Sequence, residues 1–308
     1  MKFIITLFVL LSVAISYTRA DTYSVGIWNN GTNINVGLID LTNGMEAQLK
    51  LVIPGAVFPS NSIQPSTYNY ATKFLSFYGL QSKTSPYLYV VDCNSWTLVS
   101  KSSYSYLNIY SGLASTGTTA NNLFTTYSAG GVLSVARIDP SSKIVYKFDS
   151  FYGNYRGSVY VPSISSYYVA YTNQTGLYIR AYNSNYQLAF TGQFGFANNP
   201  YPINDYPLNL VYSPLNQAVM AQVYMTDSNN RPYYALAYLD WNAGLFHVTN
   251  MDGYTGDQFL STLPDTLGQQ LAYSFAYSFG QYVIYTFNTA SNVFLTYRPY
   301  LTPVLSAF

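Results

Sequence analysis

Leu88–Val99 reads Leu-Tyr-Val-Val-Asp-Cys-Asn-Ser-Trp-Thr-Leu-Val. An apolar run, an Asp with short polar residues, and a second apolar run make the pattern of a β-hairpin. The outline recurs five times: VGLIDLTNGMEAQL from Val36, SVARIDPSSKIVYKF from Ser134, YIRAYNSNYQLAF from Tyr178, ALAYLDWNAGLFHV from Ala235 and VIYTFNTASNVFL from Val283. The turn residue falls at Asp40, Asp92, Asp139, Asn183, Asp240 and Asn288, at intervals of 52, 47, 44, 57 and 48 residues. A near-constant period of roughly 40–50 residues in an all-β pattern predicts a β-propeller with one blade per repeat.

The repeat extends upstream. Another apolar strand precedes each hairpin, beginning at Tyr23, Ala71, Leu123, Tyr167, Ala218 and Leu271. A further strand comes before that at Val159, Leu210 and Phe259, each containing a Pro. Two fainter ones lie near 62–70 and 107–113. Four strands per unit, A to D from the inside outward, predict a single all-β domain over residues 21–308, a six-bladed propeller of four-stranded antiparallel blades, with seven blades as the alternative. The chain enters at a B strand, so the tail 301–308 is expected to supply the missing A strand and protect the open edges.

Asp and Asn suit these turns because their short side chains accept hydrogen bonds from amides two or three residues on. Gly44, Asn185 and Gly244 offer positions for positive φ. The turns lie at the periphery of one face, too far apart to converge as a metal or proton-relay ring. The segment Gly37-Leu38-Ile39-Asp40-Leu41-Thr42-Asn43-Gly44-Met45 resembles the repeat of surface-layer-type propellers, V-x-V-I-D-x-x-T-N-x-V. That resemblance covers about a dozen residues per blade and implies the fold alone. The longer, irregular intervals and aromatic-rich B strands depart from it.

Residues 1–20 carry the marks of an export signal: Lys2, an apolar run from Phe3 to Ile15, and small residues at Thr18 and Ala20 before a cut ahead of Asp21. The run is short for a bilayer span, which takes about 20 apolar residues. The expected product is secreted and extracellular, with no membrane insertion once the signal is removed. Asn30-Gly31-Thr32 and Asn173-Gln174-Thr175 are sequons, so Asn30 and Asn173 are expected on surface loops as glycosylation sites. Without Lys2 and Arg19 the chain has 11 basic residues against 12 acidic ones. That balance argues against nucleic acid or an anionic membrane as partner. Charged residues make up only 8% and aromatics 18%, with 35 Tyr, a composition that disfavours helix. The single cysteine, Cys93, cannot form an internal disulfide, so stability must come from the core.

No catalytic motif stands out. The one histidine, His247, sits in Leu-Phe-His-Val-Thr-Asn, a D strand expected at a solvent-facing edge. Metal sites built from His or Cys are excluded by count, no cofactor is expected, and a Ca2+ site of Asp, Asn and carbonyls stays open. Glycosidase chemistry needs only two carboxylates. The loops from one blade's D strand to the next blade's A strand combine aromatic and charged residues, which suits sugars or protein hot spots. The expected ligand-binding residues are Asp149, Tyr152, Tyr155, Arg156, Asp205, Tyr206, Asp252, Tyr254 and Asp257. Both sequons fall on that same face. Either the ligand is small and central, or the working face is the other one. The leading expectation is a non-enzymatic exported propeller binding carbohydrate or protein. An extracellular carboxylate-dependent hydrolase or lyase, and a structural matrix or coat component, are the alternatives.

Overall fold

The computed structural model describes residues 23–42, 47–59, 62–81, 85–105, 108–118, 122–197, 208–226, 232–248, 258–264, 269–278, 280–291 and 293–308. The described strands fall into six groups in chain order. The first holds β1 (Tyr23–Asn30), β2 (Asn33–Asp40) and β3 (Gln48–Ile53). The second holds β4 (Ala56–Val57), β5 (Ser66–Asn69), β6 (Phe74–Gln81), β7 (Ser85–Asp92) and β8 (Thr97–Ser103). The third holds β9 (Ile109–Ser115), β10 (Leu123–Ala129), β11 (Val132–Asp139) and β12 (Ile144–Tyr152). The fourth holds β13 (Asn154–Val161), β14 (Ser166–Asn173), β15 (Gly176–Tyr182) and β16 (Leu188–Ala197). The fifth holds β17 (Val211–Ser213), β18 (Ala218–Thr226), β19 (Pro232–Asp240) and β20 (Leu245–Val248). The sixth holds β21 (Gln258–Pro264), β22 (Leu271–Ser278), β23 (Gln281–Asn288) and β24 (Val293–Pro299). The last strand, β25 (Val304–Ala307), pairs antiparallel with β1, so residues 301–308 complete the first group.

Apolar patterning follows position within a group. The middle strands are buried almost end to end, as in β1 and β6, because a neighbouring sheet covers each face. The outer strands are mostly exposed, as in β3 and β24. Core clusters lie between successive groups. Ile27, Val36 and Phe77 pack the first against the second. Tyr78, Leu88 and Leu113 join the second to the third. Phe124 and Tyr167 join the third to the fourth, their rings stacked at 4.7 Å and 13°, which adds about 0.5–1.5 kcal/mol to the area term. Another cluster runs through the fourth, fifth and sixth groups. Ile39 and Leu41 then meet Phe275 and Ile284, returning the sixth to the first. Cys93 is buried in the cluster between the first two groups, and desolvation, reinforced by the charge of Asp92, pushes its thiol up to about 12.

All six C–D turns use one device. Asp40, Asp92, Asp139, Asn183, Asp240 and Asn288 each accept a backbone amide through Oδ1, from Thr42, Asn94, Ser141, Asn185, Ala243 and Ala290 respectively, at 2.8–3.0 Å. Gly244 has the expected positive φ, but the left-handed residue of the fourth turn is Tyr186 rather than Asn185, and in the second and third turns it is Trp96 and Lys143. Gly44 lies outside the described residues. The outer strands β16 and β20 also pair with each other in parallel, Phe196 against Phe246, which joins the fourth and fifth groups into one sheet.

Candidate functional site

The innermost strands β5, β9, β13, β17, β21 and β25 surround a central cavity of about 980 Å3. Consecutive antiparallel strands place A–B and C–D turns on one face of the ring, and B–C turns and D–A connections on the other. At the A–B face the rim is built from Tyr70, Gly117, Ser163, Pro214, Gln217 and Pro264, five of which are exposed and Pro264 half-buried. At the opposite end the lining includes Gln64, Arg156, Ser158, Asn209 and Leu210.

Gln64 bridges neighbouring groups there. It stands just before β5 in the second group. Its Oε1 accepts the Ser158 amide of the fourth group at 2.7 Å, and its Nε2 donates to the Leu210 carbonyl of the fifth at 2.5 Å. Its backbone carbonyl accepts the Leu113 amide of the third group at 2.9 Å, so this one residue links the third, fourth and fifth groups at that end of the cavity. The bridge is held by backbone conformations that side chains seldom adopt, φ +52° at Gln64 and +38° at Asn209. Gly157 makes room for it: a Cβ there would lie 3.1 Å from Gln64 Oε1 and from the Asn209 amide nitrogen. Asn209 Nδ2 donates to Gln222 Oε1 at 2.6 Å, Gln222 Nε2 to Thr262 at 2.5 Å, and Thr262 pairs with Ser274 at 2.7 Å. Among the described residues the cavity is therefore a well, with exposed residues at the A–B turns and a hydrogen-bonded floor toward the D–A side.

The residues expected to bind ligand scatter. Asp149 to Arg156 is not a loop. Gly153 alone separates β12 from β13, so the stretch is strand-paired on both sides. Asp149 sits on the outer strand, where Oδ2 accepts from Arg180 at 2.7 Å and from Tyr182 at 2.6 Å. Arg180 also lies 4.0 Å over the Phe151 ring, so Asp149 rivets the third group to the fourth. Burial, and the hydrogen bond that the phenol donates to Asp149, both push Tyr182 above its usual range. Tyr152 is 79% exposed, away from the well. Tyr155 turns inward, with its hydroxyl 2.8 Å from Ser158 Oγ. Arg156 is buried at the well floor, with Nε donating to Thr172 at 2.8 Å. Asp205, Tyr206, Asp252, Tyr254 and Asp257 lie outside the described residues.

Sequence reasoning missed Gln64, Asn209 and the A–B rim. A visible signal existed for the rim, since Pro162, Pro214 and Pro264 sit where the inner strands end. Among the described lining residues there is no Asp or Glu, so two carboxylates do not meet in this part of the well as hydrolysis would need. Nor do the described residues hold a group of three or more His, Cys, Asp and Glu suited to a metal. His247 lies far from the well on β20. It stacks on Tyr238 at 4.8 Å, with Nε2 3.6 Å from Asp240 Oδ2. Its strand is outermost but is not a free edge, because β16 covers it. Asn30 and Asn173 are both exposed, on the β1–β2 and β14–β15 turns of the face opposite the rim.

No protein-family model matches the chain, and no curated protein matches it by sequence. Solved structures do resemble it over nearly its whole length. TolB from Acinetobacter baumannii aligns with TM-score 0.64 and 13% identity, over 96% of this chain and 69% of that one. A chain of a nidogen/laminin complex aligns with TM-score 0.59 and 13% identity, over 92% and 97%. AofleA from Arthrobotrys oligospora aligns with TM-score 0.52 and 11% identity, over 90% and 86%. At such identities the likeness is one of fold, and it defines the class: the chain is a β-propeller. No helix among the described residues is long and apolar enough to cross a membrane.

Proposed function

We propose that this chain is an exported, non-enzymatic, six-bladed binding propeller that takes its ligand into the central well from the A–B face. The observation that carries this is the well itself: about 980 Å3 of space inside the ring, with exposed residues at one mouth and the Gln64 bridge at the other end. Ligand sites are concave and few per protein, and this one has the volume of a small-molecule or protruding-group site. The closed circuit of core clusters supports six blades. Export follows from the signal-like residues 1–20, and N-glycans are proposed on Asn30 and Asn173. Glycans at those turns leave the A–B mouth clear. The surface-layer-like hairpin adds nothing about the ligand.

The test is ligand recovery. The secreted protein and a well-filling Leu305→Trp variant are purified in parallel, and small molecules and proteins that co-purify are identified by mass spectrometry. A ligand present with the wild type and absent from a folded Leu305→Trp supports the well. A ligand retained by Leu305→Trp but lost with Tyr152→Ala moves the site to the opposite face and sinks the proposal.

A further inference from the structure

The hydroxyls and amides around the well are largely committed to one another. Ser66 and Ser306 pair at 2.7 Å. Ser261 Oγ accepts the Ala307 amide at 3.1 Å. Thr67 Oγ1 accepts the Ser115 amide at 2.9 Å, and Tyr212 donates to Ser163 at 3.0 Å. Ser158 is engaged by Tyr155 and Tyr167, and Thr262 belongs to the chain from Asn209 through Gln222. Much of what faces the cavity beyond them is apolar, with Asn29, Ser62, Tyr160 and Gln217 adding further polar groups. Leu113, Val159, Val211, Leu260 and Leu305 come from five different inner strands, and Tyr68 comes from the sixth. Tyr68 meets Tyr70 edge-on at 5.0 Å near the mouth, with Phe308 6.2 Å away. The one charged side chain among the described lining residues, Arg156, lies at the floor and is bonded to Thr172.

We infer that the well binds an uncharged ligand with an apolar body, a small hydrophobic molecule rather than a sugar or an ion; this rests on the well being the binding site. A sugar carries a hydroxyl at almost every carbon, and each buried hydroxyl needs a partner or costs a lost hydrogen bond. The polar lining described above already has partners. An apolar body asks for nothing from those groups. It gains from leaving water along a wall that every inner strand helps to build. Tyr68 and Tyr70 at the mouth supply flat apolar faces with a polar tip, suited to a ligand with one wet end.

The experiment titrates the full-length secreted protein with the neutral dye Nile red and, separately, with a panel of mono- and oligosaccharides. The same titrations are run on Leu305→Trp and Val211→Trp, two well-filling variants from different strands, each first checked for wild-type circular dichroism. The expected result is saturable 1:1 dye binding with blue-shifted emission. At least one folded variant should weaken it tenfold or more, and the sugars should give no saturable signal. Saturable sugar binding that the variants abolish overturns the ligand class and leaves the well standing as the site. Dye binding unchanged by both variants overturns the ligand class and the well together, as does absence of any saturable binding.

Discussion

At the scale of single residues, the turn Asp is a folding device with a titration signature. The Ser141 hydroxyl and amide, with help from Ser142, hold the Asp139 carboxyl down at about 2. A folded pKa below the unfolded one contributes stability above the unfolded value, near pH 4, and that contribution is lost as pH falls toward 2. Asn183 and Asn288 do the same structural job without a charge. Asp139→Asn should therefore keep neutral-pH stability while flattening the acid limb of the unfolding curve between pH 4 and 2. Asp139→Ala should lower stability at neutral pH by about 1 kcal/mol. Urea melts across that pH range decide it: an Asn variant with an unchanged acid limb would refute the assignment. The hairpin residues are legible from sequence because a turn is local. Gln64 is not, because nothing near Ser62–Pro65 signals that its side chain will bond residues 94 and 146 positions away.

At the scale of elements, edges decide whether such a protein stays dispersed. Among the described residues, β3, β8, β12 and β24 end their sheets without an outer partner. Three of them carry an exposed lysine: Lys50, Lys101 and Lys147. Edge lysines oppose strand-to-strand association. The two outer strands that pair with each other, β16 and β20, have neither Lys nor Arg. On β24 the basic residue, Arg298, turns to donate to the Thr42 carbonyl, while Val293, Leu295 and Tyr297 are each about half exposed at alternate positions. This is the least guarded edge. Leu295→Lys should reduce concentration-dependent light scattering, and Lys101→Val should increase it. Equal scattering from both variants and wild type would show that these edges do not control association. The B, C and D strands are legible because burial on both faces, or on one, imprints an apolar pattern. The inner strands of the second and third groups are faint because they face the well. Ser66-Thr67-Tyr68-Asn69 alternates with nothing recognisable. The segment from Asp149 misleads for a related reason: Gly153 and Asn154 look like a loop, yet one glycine suffices to carry the chain between two paired strands.

At the scale of the whole molecule, β25 is bonded to three parts of the ring at once. Val25 and Phe308 exchange backbone hydrogen bonds at 3.2 and 2.9 Å. Ser306 meets Ser66 of the second group, and the Ala307 amide reaches Ser261 of the sixth. Deleting residues 301–308 should lower the melting temperature by about 5 °C or more, since even 1 kcal/mol shifts a protein of this size by about 2 °C. An unchanged melting temperature would mean the ring does not depend on that strand. That strand also imposes a schedule. Ser24 donates to the carbonyl of Phe308, 284 residues further on. At about 5–20 residues per second, β1 spends roughly 14–60 s after synthesis with its inner edge bare. Local hairpins form in microseconds. The slow event in refolding thus belongs to the meeting of Val25 with Phe308, and during biosynthesis the nascent β1 is the surface that a chaperone would have to shield.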